Sequence, residues 1–203
     1  MRVLLIAGGW SAERDVSLSG AEFIEKALTD LGHEVIFFDL AKDLENLPKI
    51  AREVDFAFIN LHGSPGEDGL VQAMLDLFEC PYQGAGPGPS MIALNKVCTK
   101  VIFKENGILT PKWEFIPMPP GNDWTPMLEF PVVVKPNSGG SSVDIEIVDS
   151  KEGLFSAMKK ILDQREGVLL EEKIDGMEIT CGVLGDNSLP PVLIEPGSKS
   201  DFF

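Results

Sequence analysis

The chain has 203 residues, of which 44% are hydrophobic and 24% charged, and its formal net charge is −15. This composition is typical of a soluble globular protein, and it excludes nucleic acid and anionic membranes as expected partners because both attract basic surfaces. No apolar run approaches the roughly 20 residues of a membrane span. The N-terminal MRVLLIAGG has too short an apolar stretch for a secretion signal.

Cysteine and histidine are both scarce in the chain. Cys80, Cys98 and Cys181 are odd in number and unpaired by spacing, which predicts reduced thiols in a cytoplasmic protein. With His33 and His62 as the only histidines, we expect no zinc site.

The first 85 residues alternate predicted strands with predicted helices. Apolar runs predict three buried strands, at 3–7, 34–40 and 56–61. Apolar residues at helical spacing predict helices ending near Gly32 and spanning 69–78. This alternation predicts an α/β domain with a doubly wound parallel sheet. Ligands of such sheets bind beyond the carboxyl ends of the strands, where GGWSAERD and HGSPGEDG lie.

The pattern changes in the second half of the chain. We expect one helix from Ser90 to Asn106, then a loop rich in proline and glycine at 117–126. Asp149 and Glu152 lie at capping-box spacing before another helix. This half is predicted to be α+β, with a helix at 151–163 and strands at 132–135, 145–148, 168–172 and 178–184.

The stretch VVVKPNSGGSS, residues 132–142, brings a lysine to the end of a strand, just before a glycine loop. Gly139 and Gly140 let backbone N–H groups approach an anion, and Ser141 and Ser142 add hydroxyl donors. Lys135 would add a point charge. The same residues also fit an ordinary β-hairpin turn with a solvated lysine. These eleven residues leave both interpretations open.

Five motifs occur in order along the chain: GGWSAERDVSL, NLHGSPGEDGLVQAML, PYQGAGPGPSMIALNK, VVVKPNSGGSS and LLEEKIDGMEIT. Together they strongly resemble the D-alanine–D-alanine ligases, members of the ATP-grasp superfamily of carboxylate–amine ligases. The resemblance covers essentially the whole chain. It implies a Rossmann-like substrate domain at 1–87, a central ATP-grasp subdomain at 88–178, and the incomplete beginning of a second ATP-grasp subdomain at 179–203.

The family resemblance implies that the chain binds ATP. Lys96 and Lys135 would bind its phosphates under a flexible loop, residues 137–143, to which Gly139, Gly140 and Ser142 belong.

The motif LLEEKIDGMEIT is similar to the family's adenine-binding segment. Glu171 would accept from the adenine amino group, the backbone from Glu172 to Ile174 would read the edge of the ring, and Glu178 would hold the ribose hydroxyls. The structural alternative for these glutamates is an acidic, solvated strand edge.

The resemblance also implies a site for the first D-alanine. Glu13 would contact its ammonium, and Ser141 would help to place it. Taken without the motif, Glu13 could be a first-turn helix glutamate. Ser141 could be an ordinary turn serine, because Ser142 could place the substrate in its stead. His62 lies either near this substrate or in a purely structural, hydrogen-bonded position.

Four further polar residues carry expectations. Glu67 and Asp68 are expected to order the loop after the third strand and to cap the next helix. Asn95 stands where the family usually has Asp, and Asp144 where it usually has Gly. Asp144 would place a negative charge near the phosphates.

The implied reaction is cytoplasmic synthesis of a peptidoglycan precursor. The carboxylate of one D-alanine attacks the γ-phosphate of ATP, and the amine of a second D-alanine attacks the resulting acylphosphate. The resemblance implies Mg²⁺ or Mn²⁺ with ligands beyond Phe203, so we expect no metal ligand in this chain and no activity from these 203 residues alone. The full-length protein is expected to be a homodimer.

Two alternatives stay open. One is an ATP-grasp ligase with a different second substrate, such as D-lactate or D-serine. The other is a catalytically incompetent ATP-binding module. A nicotinamide-dependent oxidoreductase is set aside, because Gly8-Gly9 lacks the G-x-G-x-x-G pattern and Asp39 lies 30 residues beyond Gly9, where about 20 is usual.

Overall fold

The computed structural model describes residues 1–11, 13–121, 123–140 and 144–195. In these residues the helices are Arg14–Asp30 (α1), Leu40–Asp43 (α2), Leu47–Ala51 (α3), Leu70–Leu77 (α4), Pro87–Leu94 (α5), Lys96–Glu105 (α6) and Lys151–Asp163 (α7), with a 3₁₀ turn at Leu44–Asn46. The strands are Arg2–Ala7 (β1), Glu34–Asp39 (β2), Phe56–Ile59 (β3), Trp113–Ile116 (β4), Val132–Pro136 (β5), Glu146–Val148 (β6), Val168–Glu172 (β7), Glu178–Thr180 (β8), Val183–Leu184 (β9), Asn187–Ser188 (β10) and Val192–Ile194 (β11).

The chain packs as two compact units. The first comprises Met1–Ile108 and Asn137–Gly140, and the second comprises Leu109–Pro136 and the remainder of the chain. Helices α5 and α6 therefore pack with the first unit. The domain boundaries expected after residues 87 and 178 stay predictions about the family fold.

A parallel sheet of order β2-β1-β3 forms the centre of the first unit. Leu4 and Ile6 of β1 pack into a core with apolar residues of α2, α3 and α4, whereas Leu5 and Ala7 pack with Ala21 of α1. Helices therefore cover both faces of the sheet, which explains why β1 is a continuous apolar run. The predicted doubly wound parallel sheet is confirmed.

The single helix predicted from Ser90 to Asn106 is wrong, because the structure has two helices there. Asn95 separates them with an extended backbone, φ −82° and ψ 100°. Its side chain accepts from the N–H of Cys98 at 3.0 Å and so begins α6 as an N-cap. Apolar periodicity continues across this break, which is why the sequence pattern concealed it.

The second unit contains an antiparallel sheet of order β4-β7-β5-β6. The predicted hairpin pairing is confirmed, with Val132 opposite Val148. Val132 and Val134 point into a core formed with Leu154, Met158 and other apolar residues of α7. An α+β second half is thus confirmed, and each fully buried aliphatic side chain here contributes about 1.5–3 kcal/mol.

Three local features of this second unit differ from the sequence analysis. Strand β4 was not predicted, although Trp113, Phe115 and Ile116 are residue types that favour strands; it pairs with β7. Helix α7 is capped by Ser150, which accepts from the N–H of Gly153 at 3.3 Å, and not by Asp149. The strand predicted at 178–184 is two strands, β8 paired with β11 and β9 paired with β10. Within the described residues, no helix combines the length and apolarity needed to cross a membrane.

Candidate active site

The carboxyl-end edge of the parallel sheet brings the predicted D-alanine residues of the first unit together. The hydroxyl of Ser11 donates to the carbonyl of His62 at 2.7 Å and accepts from the N–H of Glu13 at 3.2 Å. A carboxylate oxygen of Glu13 lies 3.3 Å from the position that a Cβ on Gly63 would occupy. Gly63, at φ +62°, thus allows this carboxylate to lie against the loop after β3.

His62 is part of an ordered loop. Its Nδ1 lies 3.6 Å from Glu67 Oε1, and the other carboxylate oxygen of Glu67 accepts from the N–H of Gly63 at 3.0 Å. Asp68 accepts from the N–H of Leu70 at 3.0 Å, at the start of α4. The predicted ordering role of Glu67 and Asp68 is confirmed, but the capping role is not: the N-cap of α4 is Gly69, which has no side-chain cap bond, and Asp68 contacts only the first helical N–H.

An ion pair that the sequence analysis did not assign lies next to Glu13. The guanidinium of Arg14 donates to both carboxylate oxygens of Asp39, at 3.0 and 2.5 Å, and to the carbonyl of Gly9 at 2.6 Å. This hydrogen bond from Arg14 lowers the pKa of Asp39, although burial opposes the shift, and Lys42 acts in the same direction as Arg14. The signal was present, since Arg14 follows Glu13 and Asp39 ends β2 at the same sheet edge.

Lys96 lies at the first position of α6 and contacts the beginning of the glycine loop. Its ammonium donates to the carbonyl of Gly139 at 2.7 Å. Asn137 is buried and accepts from the N–H of Val97, so the loop begins with an ordered residue where flexibility was predicted. Gly139 has φ +110°, which favours glycine, and Gly140 is exposed.

Ser141 and Ser142, predicted to bind substrate and phosphate, lie outside the described residues.

Lys135 and Glu171 come together in the second unit, which the sequence analysis did not predict. Their side chains form an ion pair between neighbouring strands β5 and β7. The Glu171 side chain is only 7% exposed and that of Lys135 is 21% exposed. Burying a carboxylate is costly unless a cation or hydrogen bonds accompany it, and Lys135 supplies a cation.

A pocket of about 760 Å³ lies on the face of this sheet that carries Lys135. Val133 and Ile147 line it from the sheet, and residues 173–178 line it from the chain after β7. Ile174, predicted to read the adenine edge, and Glu178, predicted to hold the ribose, therefore border one cavity. Its volume is in the usual range for sites that bind small molecules.

Glu172 lies at the sheet edge beside β4. Its N–H donates to the carbonyl of Lys112 at 3.0 Å, and its carboxylate accepts from the N–H of Lys112 at 2.9 Å. This backbone N–H of Glu172 is therefore engaged within the protein.

The two departures from the family motifs have structural partners. Asp144 has φ +57°, a left-handed conformation that Asp tolerates better than most residues, and accepts from Gln164 at 3.0 Å. Asn95 caps α6. The sequence analysis considered only the charge of Asp144 and missed this hydrogen bond.

Comparison with known proteins agrees with these features. A family model described as the D-ala D-ala ligase N-terminus matches residues 42–85, and one described as the D-ala D-ala ligase C-terminus matches residues 104–202. A D-alanine–D-alanine ligase of Nitratidesulfovibrio vulgaris (strain DP4) is 55% identical over 202 residues, which is 100% of this chain and 67% of that relative. The chain belongs to the D-alanine–D-alanine ligase family. The family resemblance drawn from the five motifs is confirmed.

Other family members extend the comparison. The D-alanine–D-alanine ligase of Aquifex aeolicus (strain VF5) is 41% identical over 97% of this chain and 67% of its own length. The crystal structure of the Bacillus anthracis ligase complexed with ATP has a TM-score of 0.86 and 34% identity, covering 98% of this chain and 67% of that one. The chain thus spans about two thirds of the length of these relatives, and its ATP-grasp fold class is confirmed.

Proposed function

We propose that this chain provides the nucleotide-binding and first-substrate-binding parts of a D-alanine–D-alanine ligase. Such an enzyme joins two D-alanines in peptidoglycan precursor synthesis and uses ATP to form a carbon–nitrogen bond. The observation that carries the proposal is the buried Lys135–Glu171 ion pair on the pocket-bearing face of the second sheet. Membership of the ligase family and the ATP named in the Bacillus anthracis complex support it.

The pocket of the second unit suits an adenine nucleoside. Val133 and Ile147 offer apolar surface to the faces of a purine, while Glu178 offers a carboxylate to the vicinal hydroxyls of a ribose. The amino group of adenine is a donor, and the Glu171 carboxylate is the matching acceptor. The backbone from Glu172 to Ile174 is assigned to the ring edge, except for the Glu172 N–H, which donates to Lys112.

Cations and backbone N–H groups are assigned to the phosphates. Lys96 opens α6, where a helix N-terminus favours negative charge, and Lys135 is the last residue but one of β5. Gly139, Gly140 and Ser142 are assigned to the phosphates as well. Attack of a carboxylate on the γ-phosphate concentrates negative charge, so positive groups aimed at the transferring phosphoryl lower the barrier.

The first D-alanine is assigned to the edge of the parallel sheet. The Glu13 carboxylate pairs with its ammonium, and His62 and Ser141 are assigned to the same subsite. Binding the ammonium leaves the substrate's own carboxylate as the nucleophile. The acylphosphate formed from it is then attacked by the amine of the second D-alanine.

Mg²⁺ or Mn²⁺, expected from the family resemblance, stays part of the proposal. No group of three or more His, Cys, Asp or Glu residues that could hold a metal ion occurs in the part of the chain that the structure describes. We therefore assign no described residue to the metal. A cytoplasmic location, where ATP is abundant, and a homodimeric full-length protein belong to the same proposal.

Nucleotide selectivity tests the proposal directly. Calorimetric titration of the 203-residue chain should give ATP binding at least about tenfold tighter than GTP binding, because GTP offers a carbonyl where ATP offers an amino group to Glu171. Equal affinity for the two nucleotides, or no ATP binding, would contradict it.

A further inference from the structure

Asn137 connects the glycine loop to helix α6. It follows directly after β5 and is 7% exposed. Its side-chain Oδ1 accepts from the N–H of Val97 at 2.9 Å, and its backbone carbonyl accepts from the N–H of Lys96 at 3.0 Å. The first N–H groups of a helix have no acceptor within the helix, and here a residue about 40 positions away supplies two.

Asn95 supplies the local cap of the same helix. Its side chain accepts from the N–H of Cys98 at 3.0 Å. Two asparagines thus supply acceptors at this helix end. Asn95, which directly precedes α6, accepts from the N–H of Cys98, whereas Asn137, in the loop, accepts from the N–H groups of Lys96 and Val97. Of the two asparagines, Asn137 is the one whose bonds attach the loop to the helix.

The side chain of Lys96 contacts the same short segment. Its ammonium donates to the carbonyl of Gly139 at 2.7 Å and lies 3.5 Å from the carbonyl of Asn137. The backbone and the side chain of one lysine therefore both contact residues 137–140. The position of this loop relative to the ammonium depends on how firmly Asn137 holds the loop against α6.

We propose that Asn137 is a positioning residue for phosphate binding, which holds Lys96 and residues 137–140 in a fixed relative arrangement. The proposal rests on the nucleotide-binding role proposed for Lys96. A phosphate that arrives then meets an ammonium and a loop already placed, and less conformational entropy is lost on binding. Asn suits the position, because a short side-chain carbonyl reaches Val97 without adding charge next to a polyanion.

The test compares three substitutions in the 203-residue chain. Asn137→Ala removes Oδ1 but keeps the backbone carbonyl, and Asn95→Ala, the matched control, removes only the local cap of the same helix. Asn137→Asp keeps an acceptor at the Oδ1 position. The readouts are the backbone ¹⁵N order parameters of residues 138–140 without nucleotide, the dissociation constant for ATP, and Tm.

We expect Asn137→Ala to lower the order parameters of residues 138–140 from about 0.85 towards 0.6 and to weaken ATP binding roughly tenfold. Asn95→Ala should lower Tm about as much as Asn137→Ala does, but with loop order unchanged and ATP affinity within about twofold of the wild type. Asn137→Asp should restore loop order. That variant is compared by loop order alone, because a carboxylate would repel the phosphates.

Two results would overturn the positioning role: unchanged loop order and ATP affinity in Asn137→Ala, or the same loss of ATP affinity in Asn95→Ala. Either result in a wild type that binds ATP leaves the proposed function standing. A wild type that binds no ATP overturns the proposed function and, with it, the phosphate role of Asn137. If Asn137→Ala does not fold, Asn137→Ser, whose hydroxyl is too short to reach Val97 equally well, replaces it in the comparison.

Discussion

Lys135 and Glu171 form an ion pair across strands β5 and β7, as diagonal neighbours on one face of the sheet. Val133 is the residue directly opposite Glu171, and Leu169 is directly opposite Lys135. Because the Glu171 carboxylate is almost fully buried, the lysine next to it stabilises the free protein, in addition to the phosphate-binding role that we propose for it. These two contributions of Lys135 can be measured separately.

Lys135→Ala should weaken ATP binding more than Lys135→Arg, because arginine keeps the charge at the strand end. The alanine variant should also lose about 3 kcal/mol of unfolding free energy, since it leaves a buried carboxylate without its cation. Calorimetry with ATP and urea denaturation measure the two effects. ATP affinity equal to that of the wild type in Lys135→Ala would remove this lysine from the site.

The double variant Lys135→Met with Glu171→Leu separates folding from binding. Removing both charges leaves no unpaired carboxylate, so we expect stability within about 1 kcal/mol of the wild type. ATP binding should still be lost, because both proposed ligand groups are gone. Recovery of ATP affinity along with stability would show that the single variant acted only through folding.

Asp39→Asn should change how stability depends on pH. Arg14 holds the pKa of Asp39 below its ordinary value in the folded protein, so the unfolded chain takes up the proton first as pH falls. The stabilisation from this carboxylate is therefore complete above about pH 5 and is lost as pH falls below about 4. Urea denaturation between pH 3 and 7 should show that Asp39→Asn loses less stability than the wild type as pH falls. The asparagine keeps a side-chain oxygen that accepts from the Ala41 N–H and so still caps α2.

Identical pH dependence of stability in Asp39→Asn and the wild type would contradict this account of the Arg14–Asp39 pair.

Glu114→Gln should destabilise the second unit by about 2 kcal/mol. Both carboxylate oxygens of the buried Glu114 accept, one from the Trp124 indole N–H at 3.1 Å and the other from the Met127 N–H at 2.8 Å. Glutamine would turn one of these acceptors into a donor that faces another donor. The exposed Glu129, replaced in the same way, is the control and should change stability by less than about 0.5 kcal/mol in urea denaturation.

Glu13→Gln should weaken D-alanine binding by roughly tenfold to a hundredfold, because it removes the charge proposed to pair with the substrate ammonium. Asp15→Asn removes one negative charge from the same helix turn at an exposed position and serves as the control. NMR titration of D-alanine measures both. An equal loss of affinity in the two variants would point to the general field of the first turn of α1 and not to a specific contact.

Local sequence patterns predicted much of the fold correctly. The apolar run of β1 is continuous because helices cover both faces of its sheet, and that is a property readable from the run itself. The strands β2 and β3 were also predicted to be buried, but they lie at the sheet edges and are only partly buried, with Phe37 44% exposed. Gly32, with φ +83°, ends α1 where its residue type predicted. The break at Asn95 was missed, because an asparagine within an apolar period resembles a surface position until its side chain is seen to cap Cys98.

Some contacts of the candidate site could likewise be predicted from the sequence, and others could not. The motifs located Glu13 and His62 at the carboxyl ends of strands, and parallel pairing then places them at one edge, through Ser11. Arg14–Asp39 could have been found by the same argument. The contact of Glu172 with Lys112 could not, since it depends on the pairing of β4 with β7, which no local pattern specifies.

The sequence by itself determined the family, the α/β and then α+β order of elements, and the positions of the lysines, glycines and carboxylates, because these depend on residue type and short-range period. Only the tertiary structure decided which of them meet. Lys135 pairs with Glu171 because β5 and β7 are neighbours in the sheet order, and Asn137 caps α6 from some 40 residues away. Such contacts depend on strand order and packing over long sequence separations, and no local pattern encodes them.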